Sequence, residues 1–368
     1  MANKVKIGIV GCGAISGAYF QAGTKLEILD IVACADLNMD AARAKAKEFN
    51  IPKACTVEEL IADPEIRIVV NLTIPAAHAQ VALATLQAGK HAYSEKPFSV
   101  TREDGKKILE LAKSKNLLVG CAPDTFLGGG IQTCRKLIDD GAIGTPVSAD
   151  AFMMGHGHES WHPNPDFYYQ PGGGPMFDMG PYYLTALINL ISPLRRIASM
   201  TRTTFPERLI TSEPKKGTII KVNTPTHLAG LIEFANGAVG TIITSFDVWA
   251  AQHPNIEIHG TDGSMIVPDP NGFGGTVKVR HKSKKDWEEV PLTHGFTGQG
   301  RGLGVADMAY ATLTGRKHRA NGAMAYHVLD AMQAFLDSWE QKKFVELQST
   351  CERPAPLPLG LPASKLDE

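Results

Sequence analysis

Over the first 120 residues, apolar positions fall in short unbroken runs separated by segments whose apolar residues recur every three or four places. The runs VKIGIV (5–10), ILDIVACA (28–35), RIVVNLT (67–73), HAYS (91–94) and LLVGCA (117–122) suit strands buried on both faces. Between them, 39–49, 78–89 and 102–115 have helical spacing, with Thr101 placed as an N-cap and Gly89 as a helix stop. Strand–helix alternation at this interval predicts a doubly wound parallel sheet. After residue 123 the pattern changes. One more helix is expected over 131–140, followed by longer alternating strands at 146–154, 227–235, 237–248, 255–260, 264–268 and 276–282. Asn236-Gly237 between two of these strands is a tight-hairpin dipeptide. Further helices are expected over 181–191, 302–314 and 323–341. The fold class is therefore α/β: a parallel doubly wound sheet, then an α+β part with a large, mostly antiparallel sheet.

The glycines make the first half more specific. GIVGCGAISGAYF (8–20) leaves the first strand and opens a helix, so Gly11 and Gly13 allow a tight turn and a close backbone approach to a pyrophosphate. Ala14 and Ile15, which lead into the helix, are expected to bind the cofactor with them, and Ser16 stands where a third glycine is usual. Asp36 closes the second strand, 25 residues beyond Gly11, where a carboxylate bonds the adenosine ribose hydroxyls and repels a 2′-phosphate. No Arg or Lys follows it directly, which favours NAD over NADP. These features predict a Rossmann unit over 1–122, a substrate-binding and oligomerisation unit over 123–345, and a proline-rich arm, extended or disordered, over 346–368.

At 368 residues the chain is long enough for two domains. A net charge of −1 without a long basic run gives no footprint for nucleic acid or an anionic membrane. The six cysteines lack CxxC spacing, which fits a reducing cytoplasm. The sequence enters its first strand without a secretory h-region, and no apolar run reaches the ~18 residues of a membrane span.

SEKPFS (94–99) ends the fourth of the apolar runs with Glu95 and Lys96, and Pro97 restricts the backbone at Lys96. Oxidation of a secondary alcohol requires a hydride acceptor, a base, and positive charge where alkoxide develops, and a fixed ammonium meets the last need. Partial burial would also lower the lysine's pKa toward a proton-shuttling value. In GGGPMFDMGPYY (172–183), Asp178 and Tyr182 stand four residues apart, on one helical face. Ionisation of Tyr182 near neutrality would need a neighbouring cation, for which Lys96 is the candidate.

With GCGAIS, Asp36, TIPAAH (73–78), SEKPFS and GGGPMFDMGPYYLTAL (172–187) together, the chain resembles the Gfo/Idh/MocA oxidoreductases, named for glucose-fructose oxidoreductase and inositol dehydrogenase. The resemblance extends to about residue 345. It implies that Lys96 is the active-site lysine, that Glu95 and Lys96 lie beside the nicotinamide, and that Thr73, Pro75 and His78 lie along the cofactor. His78 would otherwise be a capping or buried histidine. Tyr182, where inositol dehydrogenases carry histidine, is similar to the glucose-fructose oxidoreductase branch, in which tyrosine is the acid/base. CAPDTFLGGG (121–130) departs from the family's arginine-containing segment, leaving Pro123 and Asp124 to line the cofactor.

MMGHGHESWHPNP (153–165) is open to several readings. His156, His158 and His162 have a spacing that zinc would accept, although the family needs no metal and none is expected. They are otherwise surface-loop histidines, or they contact substrate: His158 and His162 bonding hydroxyls, Trp161 stacking on a sugar ring, one histidine replacing Tyr182 as base. The expected activity is NAD-dependent oxidation of a sugar, polyol or glycoside, with Lys96 and Tyr182 (or a histidine) handling the proton, Asp178 orienting substrate, and a glycoside 3-hydroxyl preferred. An NAD-dependent glycosidase and a non-catalytic dinucleotide sensor are the alternatives. The antiparallel sheet carries little charge on its second face, so a homo-oligomer, dimer or tetramer, is expected.

Overall fold

A computed structural model describes residues 4–298 and 300–367. Six parallel strands, β1 (Val5–Val10), β2 (Leu29–Ala35), β3 (Lys53–Cys55), β4 (Ile68–Asn71), β5 (His91–Ser94) and β6 (Val119–Cys121), form a sheet in the order β3-β2-β1-β4-β5-β6. The connecting helices are α1 (Ser16–Lys25), α2 (Met39–Phe49), α3 (Val57–Ala62), α4 (Pro75–Gln87) and α5 (Arg102–Ser114). All of β4 and nearly all of β1 is buried, as their unbroken apolar runs require. The strand order reverses between β1 and β4, which opens a crevice at their carboxyl ends. β3 and α3 were not visible as an apolar pattern; a three-residue edge strand carries too little periodicity, but Thr56 and Glu59 form a full capping box on α3.

Helix α6 (Gly129–Asp139) leads into β7 (Pro146–Met154), α7 (Gly174–Leu190) and β8 (Leu194–Arg202). A hairpin of β9 (Glu207–Leu209) and β10 (Ile219–Lys221) follows, then β11 (His227–Phe234), β12 (Val239–Ser245), β13 (Ile256–Gly260), β14 (Gly263–Val267), β15 (Val277–His281) and β16 (Glu288–Val290). The chain ends with α8 (Leu303–Thr314), α9 (Gly322–Gln341) and β17 (Val345–Glu346). Nine of these strands make one sheet, β16-β15-β14-β13-β7-β12-β11-β8-β17, antiparallel throughout except for β7 against β12. The Asn236-Gly237 turn joins β11 to β12, with Gly237 at φ +88°. β8 escaped the periodicity because arginines interrupt it; Arg196 points outward and pairs with Glu233 on β11.

Helix α9 lies on the inner face, so close that a Cβ at Gly230 would come within 2.3 Å of the Phe335 ring. The outer face leaves Met200, Leu231 and Val239 at 71%, 52% and 57% exposure. Beyond β17 the chain runs extended over the surface. Leu357 and Leu366 are buried, Arg135 donates to Pro354 O at 2.7 Å, and Lys365 pairs with Glu27. Among the described residues, no helix is long and apolar enough to cross a membrane.

Candidate active site

The crevice is built from two loops. Gly11 turns at φ +100°, and a Cβ there would meet the Leu72 backbone at 2.7 Å, so only glycine lets the loop after β1 pass the loop after β4. At Gly13 a Cβ would meet nothing within 4 Å, so the backbone is open to an incoming group. Helix α1 begins immediately beyond, and its first-turn amides have no side-chain cap. Ser16 instead turns its hydroxyl back to Gly13 O at 2.7 Å. An uncapped helix start behind an open glycine fits a pyrophosphate. Asp36 accepts from Cys12 N and Asn38 N, both at 2.8 Å, one on each oxygen. Each oxygen keeps a further lone pair for a ribose hydroxyl.

Asp36→Ala is accordingly expected to weaken NADH binding about ten- to a hundred-fold, the scale of the ~1.5–3 kcal/mol for a hydrogen bond to a charged group. NADPH should be affected less, since the repulsion is lost with the bond. Titration of both cofactors by fluorescence checks this, and an equal loss for both would remove the ribose role.

His78 is fully buried, its ring nitrogens 2.7 Å from Pro97 O and 2.9 Å from Thr73 O. It ties the loop after β4 to the loop after β5, which is the buried-histidine alternative left open by the sequence. Thr73 itself donates to Asn71 Oδ1, and Pro75 opens α4. Pro97 follows a cis peptide bond, as does Pro123.

Lys96 leaves the end of β5 and reaches α7, where Nζ donates to both Asp178 Oδ1 and Asp178 O at 2.7 Å. Burial pushes the ammonium's pKa down, but Asp178, Tyr182 and Glu95 more than offset it, and it ends above the ordinary lysine value. The expected lowering is overturned: Lys96 is a fixed cation. Burial works against the Asp178 carboxylate too, yet Lys96 and His158 hold it at about 2. His158 Nε2 lies 3.2 Å from Asp178 Oδ2, so one carboxylate carries the lysine on one oxygen and the histidine on the other. His158 Nδ1 is buried without a partner among the described residues.

Tyr182 is four residues on, and Lys96 Nζ stands 5.4 Å from its ring centre. The cation bonded to the phenol oxygen is a different one: Arg301 Nη2 donates to it at 2.8 Å. Burial raises the Tyr182 pKa, and Lys96 and Arg301 draw it back only in part. Asp124 is fully buried, accepting from Gly302 N at 2.8 Å and Gly304 N at 3.0 Å at the start of α8. Its other oxygen is 3.7 Å from Arg301. Glu95 accepts from Tyr19 at 2.8 Å and from the Lys96 amide at 2.9 Å.

The three histidines of 156–162 are not brought together. His158 stacks on Tyr168 at 3.8 Å and faces Asp178, whereas His156 stacks on Trp249 at 3.3 Å. His162 meets Phe167 and Tyr168 edge-on and accepts from Asn164 N. Among the described residues no group of three or more His, Cys, Asp or Glu is placed to hold a metal. Trp161, 63% exposed, lies 5.1 Å from the His158 ring.

Residues 5–122 match the description "Oxidoreductase family, NAD-binding Rossmann fold", and residues 131–266 match "GFO/IDH/MocA C-terminal domain". The chain belongs to the Gfo/Idh/MocA oxidoreductase family. It is an NAD-binding oxidoreductase of the sugar and polyol dehydrogenase type. An uncharacterized oxidoreductase of Schizosaccharomyces pombe is 29% identical over 282 residues, 73% of this chain and 69% of that protein. Levoglucosan dehydrogenase of Pseudarthrobacter phenanthrenivorans is 25% identical over 295 residues, 72% of this chain and 73% of that enzyme. A levoglucosan dehydrogenase structure in complex with NADH has the same fold, with a TM-score of 0.81 at 22% identity over 94% of this chain and 100% of that one.

Within this member of the Gfo/Idh/MocA family, sequence reasoning missed Arg301, Tyr19, Tyr168 and Arg208. Arg301 sits in a glycine-rich loop, RGLG after a stretch without periodicity, and nothing local marks it as facing α7. Tyr19 carried a weak indication, since it lies in the first turns of the helix behind the glycine loop.

Proposed function

We propose that this protein oxidises a ring secondary hydroxyl of a sugar, polyol or glycoside, the 3-hydroxyl of a glycoside being preferred. The observation that carries the reading is the shared carboxylate, Asp178, with Lys96 on one oxygen and His158 on the other beside the crevice. NAD, when bound, supplies the hydride acceptor. Lys96 spends two of its three ammonium protons on Asp178 and keeps one for the substrate oxygen, where it stabilises developing negative charge. His158 is the proton acceptor in this reading, and Asp178, 3.2 Å from its Nε2, stabilises the imidazolium that results. A buried tyrosine whose pKa is raised is a poor base near neutrality. Tyr182 then serves as a donor to the same oxygen. An alcohol oxygen with one proton and two lone pairs matches this set: it donates to His158 and accepts from Lys96 and Tyr182. Asp178 orients Lys96 and His158, and His162 and exposed Trp161 lie where the rest of a sugar would extend.

A panel of sugars, polyols and glycosides, followed by NADH absorbance and by mass spectrometry of the product, tests this. One ring carbon converted to a ketone with equivalent NADH is the expected result. No turnover with any of them overturns it, and sugar released without net NADH indicates oxidation–elimination instead.

The working form is a homo-oligomer in the cytoplasm. Six free cysteines, five of them buried, suit a reducing compartment. The outer sheet face sets Met200 beside Ala229 and Leu231 beside Ala198 in register, an apolar surface that a second copy would cover by two-fold symmetry. Light scattering at micromolar concentration should give a dimer or tetramer mass, and a stable 39.6 kDa species would exclude it.

A further inference from the structure

Arg301 is held as few surface arginines are. Its side chain is only 8% exposed, and it is placed between Asp124, Asn271, Phe273 and Tyr182. Nη2 donates to the Tyr182 oxygen at 2.8 Å and reaches Asn271 Oδ1 at 3.4 Å, while Nη1 is turned to Asp124. Asp124 is in turn fixed by two amides of the α8 start, so the guanidinium has a rigid backing rather than a flexible surface carboxylate. A guanidinium only donates, so the Tyr182 oxygen must accept, and its own O–H has to point elsewhere. Among the described residues no group accepts that proton.

We propose that Arg301 is a positioning residue of the reaction: it fixes Tyr182 as a hydrogen-bond donor directed into the substrate cleft and strengthens that donation by stabilising negative charge on the phenol oxygen. The proposal rests on the role assigned above to Tyr182. Hydrogen bonds in a chain polarise one another, so donation from a cation into Oη makes the O–H a better donor. The charged and titratable groups facing Tyr182 are Lys96 from the end of β5 and Arg301 from the α8 loop, both favouring ionisation. Glu95 from the same β5 end and Asp178 from α7 oppose it, and Tyr168 is a further neighbour. Of the two cations only Arg301 contacts the oxygen.

The test places a fluorinated tyrosine, whose phenol ionises nearer neutrality, at position 182 and follows its fluorine resonance against pH in the full chain. Removing an opposite charge this close, by Arg301→Gln, should raise the ionisation midpoint by about 1–3 units. Arg301→Lys, which cannot span Tyr182 and Asp124 together, should raise it less. An unchanged midpoint in whichever variant folds overturns the proposal. The readout needs no substrate, so it stands or falls separately from the assigned activity. In turnover, Arg301→Gln should lower kcat more than tenfold with NADH affinity unchanged. A loss that Tyr182→Phe reproduces and the double variant does not deepen is expected, and fully additive losses contradict it.

Discussion

Lys96→Met is expected to reduce kcat by on the order of 10²–10⁴-fold while NADH affinity stays within a few-fold. The lysine makes no bond to the glycine loop or to Asp36; its ammonium is spent on α7, through Asp178 Oδ1 and the Asp178 carbonyl. Methionine keeps the length and apolar stem, so the loop after β5 should hold its course. What disappears is the charge, and its loss acts twice. The substrate oxygen loses its stabilising cation, and Asp178 is left with His158 alone, so its pKa must climb from about 2. Because the Lys96 pKa is raised, the ammonium stays protonated throughout the working pH range. No limb of the wild-type pH–rate profile near neutrality should belong to it, nor to Asp178. Stopped-flow measurement of hydride transfer with NADH-binding controls decides the matter: turnover within a few-fold of wild type makes the lysine structural.

How much of this site was legible depends on the distance over which each residue acts. Gly11, Asp36 and Lys96 are marked by their place at strand ends, and parallel strands put those ends side by side; sequence position alone brings them into one crevice. Asp178 and Tyr182 were legible as a pair because helical spacing puts them on one face. The helix itself begins at Gly174, earlier than the apolar pattern indicates, because Pro175 is tolerated in a first turn and Pro181 is carried in the interior by burial on both sides. The partners of these residues were not legible. The cation required by Tyr182 comes from a loop 119 residues away, and Asp124, read as a cofactor contact, is occupied in fixing that cation and the α8 amides. His158 was one of three equivalent histidines until the fold turned only that one toward Asp178. Such choices are made by tertiary packing, and no local periodicity records them.

Arg208 is the residue that makes this choice among histidines stable, and its removal should have the largest effect on the fold of the site. It lies on β9, in a hairpin the sequence pattern did not reveal, and its side chain is only 4% exposed. Nη1 pairs with Glu159 at 2.7 Å and reaches His156 O; Nη2 donates to Phe246 O and to Asp247. Glu159 also accepts from Tyr169, whose hydroxyl in turn takes the His158 amide. The peptide segment carrying His158 is therefore fastened at both sides of the imidazole, and Ser212 secures it further along at His162 O. Arg208→Ala leaves the buried carboxylates of Glu159 and Asp247 without their shared counter-charge, a change that typically costs about 3–5 kcal/mol. Urea unfolding followed through Trp161 and Trp249, which flank the segment, should show that loss. In the folded variant kcat/KM should fall at least tenfold, because His158 is no longer held on Asp178, while NADH affinity is unaffected. Arg208→Lys keeps one charge but not the fork that joins Glu159 to Asp247, and it should fall between the two. Unchanged stability together with unchanged kcat/KM would show that the segment holds itself.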